Sequence, residues 1–149
     1  MFSGRNARAA ALPATLSRSW LLASAMKPEL FDTALASEAD SVIFDIEDAV
    51  PAEHKSSARD AVVNALRDGM TGWVRINDIN TEYWADDLEA LSATPVGGVM
   101  LAMVESVDHV TETAKRLPDV PIVALVETAR GLERISEIAS AKGTFRLAF

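Results

Sequence analysis

From Arg18 onward, short apolar runs and longer amphipathic stretches take turns along the chain. The runs are residues 19–24, 41–46, 73–77, 99–103, 122–126 and 144–149. Several are apolar almost without interruption, the pattern of strands buried on both faces. Between them, apolar residues recur at helical spacing. Leu30, Phe31, Ala34 and Leu35 make one stripe after Pro28, and Ala58, Val62 and Leu66 make another within a helix expected over residues 53–68. Trp84, Leu88 and Leu91 form a third, with Asp86 and Asp87 near the helix's positive end. Val107, Val110, Ala114 and Leu117 follow Ser106, an expected cap. Leu132, Ile135 and Ile138 follow Thr128, a second expected cap, and Gly143 stops that helix. Gly69, Gly72, Pro95, Gly97, Gly98, Pro118 and Pro121 punctuate the joints.

Strands alternating with helices that serve as crossovers imply a parallel sheet of right-handed βαβ units. Two α/β architectures compete. A (β/α)8 barrel normally takes about 250 residues, whereas six strands suffice for an open doubly wound sheet, so length favours the latter. The polar residues favour the former. Asp45, Glu47 and Asp48, then Arg75 and Asn77, then Glu105 and Glu127, all fall at or just past the C-terminal ends of four successive strands. That edge is the mouth of a barrel. No glycine-rich phosphate fingerprint follows any strand, which weakens a nucleotide-binding reading. We therefore expect a TIM-type barrel truncated to about six β/α units, with residues 18–149 as one partial-barrel domain behind a flexible extension, residues 1–17.

Composition narrows the function classes. Of 149 residues, 49% are apolar, enough for a real core. The net charge of −8 argues against a nucleic-acid binder, which needs a basic face. With no cysteine there is no disulfide framework and no thiolate site. His54 and His109 lie in polar helical contexts and are expected in solvent. No apolar run has the length of a membrane span. The first 28 residues hold Arg5, Arg8, Arg18 and Lys27 but no acid, a bias that faintly resembles a transit peptide. We read the stretch instead as the untied terminus of a cytoplasmic protein.

The candidate chemistry gathers at the strand ends. Val42, Ile43 and Phe44 lead into three carboxylates within four residues, Asp45, Glu47 and Asp48, and such a cluster needs a cation, an arginine or water. Arg75, flanked by Val74 and Ile76, either forms a buried ion pair with Asp45 or Glu47 or captures a substrate carboxylate through its planar fork. Glu127 ends a fully apolar strand, where a carboxylate seldom serves solubility. It either binds a divalent cation or pairs with Arg75 or Arg130. A site of the Mg²⁺ type uses one or two carboxylates with substrate oxygens and water, and activates a carbonyl as a Lewis acid. Glu105 is a rim acid or, preferably, a helix-start acid.

Read together, these segments resemble the aldolase/citrate lyase family, in particular its citrate lyase β-subunit-like and malyl-CoA lyase branch. The resemblance runs from Arg18 to Phe149. It rests on Arg18–Leu21, Lys27–Phe31, Ala39–Val50, Lys55 with Ala58 and Arg59, Val74–Asn77, Asp87 and Leu88, Val99–Leu101, Val104–Ser106, Ala124–Gly131 and Arg146–Phe149. It implies a (β/α)8 barrel that uses Mg²⁺ to cleave or form a carbon–carbon bond by Claisen or aldol chemistry, on short hydroxy-acyl thioesters such as malyl-CoA or citryl-CoA. By position it implies Glu127 as a metal ligand and Arg75 as the group on the substrate carboxylate or carbonyl. It likewise implies Lys27 near the phosphates of CoA, and Asp45, Glu47 and Asp48 as support for the metal–water network. Three departures stand out. Ser24-Ala25 replace the family's Pro-Gly, Ala102-Met103 replace its Pro-Lys, and its second metal aspartate lies beyond Phe149. A single carboxylate holds Mg²⁺ poorly, so weak or absent activity is expected of the isolated chain. Open sheet edges predict association, as a homo-oligomer or with a further C-terminal segment. Two alternatives are a non-catalytic partial barrel acting through a partner chain and a 2-keto-acid aldolase that does not use CoA.

Overall fold

The computed structural model describes residues 12–149. Six parallel strands form one sheet: β1 (Trp20–Ser24), β2 (Ser41–Asp45), β3 (Trp73–Ile76), β4 (Gly98–Leu101), β5 (Ile122–Leu125) and β6 (Thr144–Ala148). Their spatial order is the sequence order, β1 through β6. A doubly wound sheet reverses its order at a switch point. This one does not, and it is the arrangement of six consecutive units of a (β/α)8 barrel.

Alternate residues of each strand divide the core in two. Val42, Phe44, Val74, Val99 and Ala124 face the helices, in the larger cluster with Leu66, Leu88, Leu91 and Ile138. Ile43, Trp73, Met100, Val123 and Leu125 face the other side. There Trp20 meets Trp73 edge to face and Phe145 lies tilted against it, with ring centroids 5.0 and 5.5 Å from that of Trp73. This inner layer also takes in Ala14. Ser17 is buried, with its Oγ 2.7 Å from that of Ser41. Arg146 of β6 donates to the carbonyls of Ser17 and Thr15 at 2.7 and 3.0 Å. Residues 15–17 thus tie the two outer strands together. Of the expected extension 1–17, residues 1–11 lie outside the described residues.

The helices are α1 (Phe31–Leu35), α2 (Lys55–Arg67), α3 (Tyr83–Ser92), α4 (Val107–Arg116), α5 (Ala129–Glu133) and α6 (Ile135–Ser140). Two expectations need correcting. Leu30 is 48% exposed, because Pro28–Leu30 winds as a tighter 3-10 turn and takes Leu30 out of phase with Phe31, Ala34 and Leu35. The single helix expected after Thr128 is two, broken at Arg134, and Leu132 is 52% exposed instead of buried. The cause is Gly131. A Cβ there would lie 2.5 Å from the Val104 carbonyl oxygen, so α5 turns this glycine to the sheet and Leu132 outward. Gly143, at φ 109°, makes the turn after α6 that a side chain would resist. Among the described residues, no helix is long and apolar enough to cross a membrane.

Candidate active site at the strand ends

All six strands are parallel, so their C-terminal ends share one edge, and the candidate residues sit along it. Asp45 closes β2 and is buried. Its Oδ1 accepts from Arg75 Nε at 2.9 Å and its Oδ2 from Nη2 at 2.5 Å, a two-pronged pair in which Oδ1 also takes the Glu47 backbone N–H at 2.9 Å. Arg75 Nη1 lies 3.4 Å from Glu47. The alternation that turns Trp73 to the inner layer turns Arg75 the same way. Of the two roles open to Arg75 from sequence, the ion pair is therefore realised, on Asp45 first and Glu47 second. Burial works against the Arg75 charge, but the hydrogen bond and charge of Asp45 and the charge of Glu47 outweigh it and hold the guanidinium above its ordinary pKa. Glu47 is half-buried. Burial raises its pKa, against the opposing pull of Arg75 and with help from the nearby charges of Asp48 and Asp45. Asp48 is exposed.

Glu127 lies two residues past β5 and is exposed. Neither arginine offered as its partner reaches it. Arg75 is engaged with Asp45, and Arg130 pairs with Glu105 at 3.2 Å. Among the described residues, the one bond to the Glu127 carboxylate comes from the Met103 backbone N–H, 3.1 Å from Oε1. Thr128 caps α5 as expected, its Oγ1 accepting the Gly131 N–H at 3.1 Å. Ser106 occupies a cap position but makes no side-chain cap bond. Instead, His109 Nδ1 accepts the Glu105 N–H at 3.4 Å, so this histidine is half-buried rather than in solvent. His54 is exposed, as expected. Lys27 is exposed three residues past β1, at the start of the 3-10 turn.

Behind the edge lies a buried polar network that sequence reasoning missed. Asp87 of α3, only 1% exposed, accepts from Arg59 Nε at 2.8 Å, from the Asn77 N–H at 3.0 Å and from Asn77 Nδ2 at 2.7 Å. Asn77 Nδ2 also reaches the Ile46 carbonyl at 3.2 Å. Lys55 Nζ donates to the carbonyls of Ile46 and Glu47 at 3.1 and 2.5 Å. Burial lowers the pKa of Lys55, with Glu47 and Asp87 pulling the other way. The loop carrying Glu47 is therefore held from behind by Lys55 of α2 and by Asn77 after β3, and Asp87 of α3 holds that asparagine in turn. A signal was present: Asp87 falls one residue before Leu88 and three after Trp84, on the buried stripe of α3.

Comparisons with known proteins agree on the fold. A family model for HpcH/HpaI aldolase/citrate lyase matches residues 18–149. A citrate lyase subunit beta-like protein of Mycobacterium tuberculosis is 44% identical over 125 residues, 84% of this chain and 44% of that protein. A (3S)-malyl-CoA thioesterase of Cereibacter sphaeroides is 35% identical over 127 residues, covering 83% of this chain and 45% of its own. The crystal structure of CitE from Mycobacterium tuberculosis in complex with magnesium, acetoacetate and coenzyme A matches with a TM-score of 0.78 at 38% identity, over 89% of this chain and 48% of that one. The chain thus spans about half the length of the curated relatives it matches.

Proposed function

Because this chain belongs to the HpcH/HpaI aldolase/citrate lyase family, we propose that it carries part of the active site of a Mg²⁺-dependent carbon–carbon lyase. The substrate class is a short hydroxy-acyl-CoA, such as malyl-CoA or citryl-CoA, cleaved by Claisen or aldol chemistry. The reading is supported by the state of Glu127, a strand-end carboxylate that no cationic side chain among the described residues neutralises and whose Oε1 alone is held among them. Among the described residues no three Asp, Glu, His or Cys side chains converge as a protein-only cage. Mg²⁺ favours one or two carboxylates with substrate oxygens and water. Glu127 fits as one ligand of such a shared site, and the ion would supply Lewis acidity to a substrate carbonyl.

The other residues orient and attract. Arg75 commits Nε and Nη2 to Asp45, which fixes the plane of its guanidinium. The Nη1 edge remains for a substrate carboxylate, with Glu47 as its resting neighbour. Lys27, exposed at the same edge, supplies a mobile positive charge for the phosphates of CoA. Asp45, Glu47 and Asp48 set the direction of Arg75 and order the water around the cation.

The test is Mn²⁺ binding by electron paramagnetic resonance, with acetyl-CoA release from malyl-CoA and citryl-CoA in Mg²⁺ as the activity assay. Glu127→Gln is expected to abolish cation binding and any turnover. Unchanged affinity in that variant would remove the metal role. A second reading, a partial barrel that acts through a partner chain, is favoured by the exposed Leu21 and Leu22 of β1. Turnover by the 149-residue chain alone decides against it.

A further inference from the structure

We propose that Met103 is the positioning residue for Glu127, acting through its backbone N–H; this rests on the reading of Glu127 as a cation ligand. The ladder between β4 and β5 shows how the N–H becomes available. Val99 donates to the Pro121 carbonyl, and Val99, Met100 and Leu101 pair in step with Ile122, Val123 and Ala124. Parallel strands repeat this bond every two residues, which would bring Met103 N–H to the Leu125 carbonyl. That carbonyl is taken instead by Val104, at 2.9 Å, one residue late. One extra residue has bulged out of the ladder just past the end of β4. Bulges of this kind re-aim groups beside active sites.

The bulge puts Met103 in the left-handed region, φ 53°, a conformation that few residues other than glycine adopt. The displaced N–H then points at Glu127 Oε1, 3.1 Å away. From the other side Gly131 lets α5 close onto the Val104 carbonyl, where a Cβ would come within 2.5 Å. The bulge is held between the carboxylate it steers and the helix that follows that carboxylate. With Oε1 held, the rotation of Glu127 is restricted and Oε2 is left for the cation.

The experiment replaces the Met103 amide by an ester through its α-hydroxy acid, which deletes the N–H and keeps the side chain. Met103→Gly is made in parallel, since it keeps the N–H and adopts the left-handed region freely. Each is measured for Mn²⁺ affinity by electron paramagnetic resonance, alone and with Glu127→Gln, and folding is followed by circular dichroism. A hydrogen bond to a charged group predicts affinity weaker by about tenfold or more for the ester. No further loss is expected from the ester when Glu127 is already Gln, and Met103→Gly should bind like the parent. An ester that binds normally, or a glycine variant that loses affinity as the ester does, overturns the positioning role. If Glu127→Gln alone leaves affinity intact, the metal reading falls first and the positioning role with it.

Discussion

Glu47 is a carboxylate whose ionisation the fold resists. Its folded pKa is raised because burial outweighs the attraction of Arg75. Between its unfolded value and the higher folded one, the native state holds more protons than the unfolded chain, so stability falls as pH rises through that window. Ionising Glu47 therefore costs stability, consistent with a group placed to face Arg75 rather than to support the fold. Glu47→Gln should therefore raise the melting temperature at pH 7 and flatten the pH dependence of stability just above the ordinary glutamate range. Thermal melts between pH 4 and 7 measure both, and a lower melting temperature for the variant at pH 7 contradicts the account. The acids and the arginine of this edge were legible from sequence because charged residues interrupted apolar runs. Which acid Arg75 would choose was not. Asp45 and Glu47 lie two apart on one strand direction, and only the register, Asp45 opposite Arg75, decides between them.

At the scale of elements, periodicity located the six strands and the helical faces, while local backbone geometry escaped it. The 3-10 turn at Pro28–Leu30, the break at Arg134 and the bulge at Met103 each shift the phase by a residue or less, beneath what an apolar stripe resolves. Asp87 is the sharper lesson, since its place on the buried face of α3 contradicted its chemistry until its partners were visible. Arg59 on α2 and Asn77 after β3 satisfy it, and the same Asn77 reaches back to Ile46. Removing one member of a buried charged pair leaves the other unpaired and costs about 3–5 kcal/mol. Asp87→Ala should lose stability on that scale in urea unfolding. Asp87→Asn, which can still accept from Asn77, should lose less. Equal, small losses in both would show that the network contributes little.

At the scale of the chain, the six strands make one parallel sheet with two outer strands. Among the described residues, β1 and β6 are each hydrogen-bonded to a strand on one side only, and Arg146 joins them indirectly through the carbonyls of residues 15 and 17. Such edges offer unpaired N–H and C=O groups to another chain. On β1 they come with apolar side chains, Leu21 at 38% and Leu22 at 45% exposed, against a net charge of −8 that opposes contact between copies. Directional edge pairing combined with burial of two leucines acts at contact distance, whereas repulsion between surface charges is screened beyond about 8 Å in physiological salt. Association is therefore expected to win and to strengthen with added salt. Burying most of one leucine is worth roughly 1–2 kcal/mol, so Leu22→Lys should weaken self-association by about tenfold or more. Sedimentation velocity of the 149-residue chain at low and high salt measures this. A single monomeric boundary at every concentration, or salt-driven dissociation, would mean that the strap through Arg146 already quiets the edges and that charge governs the surface.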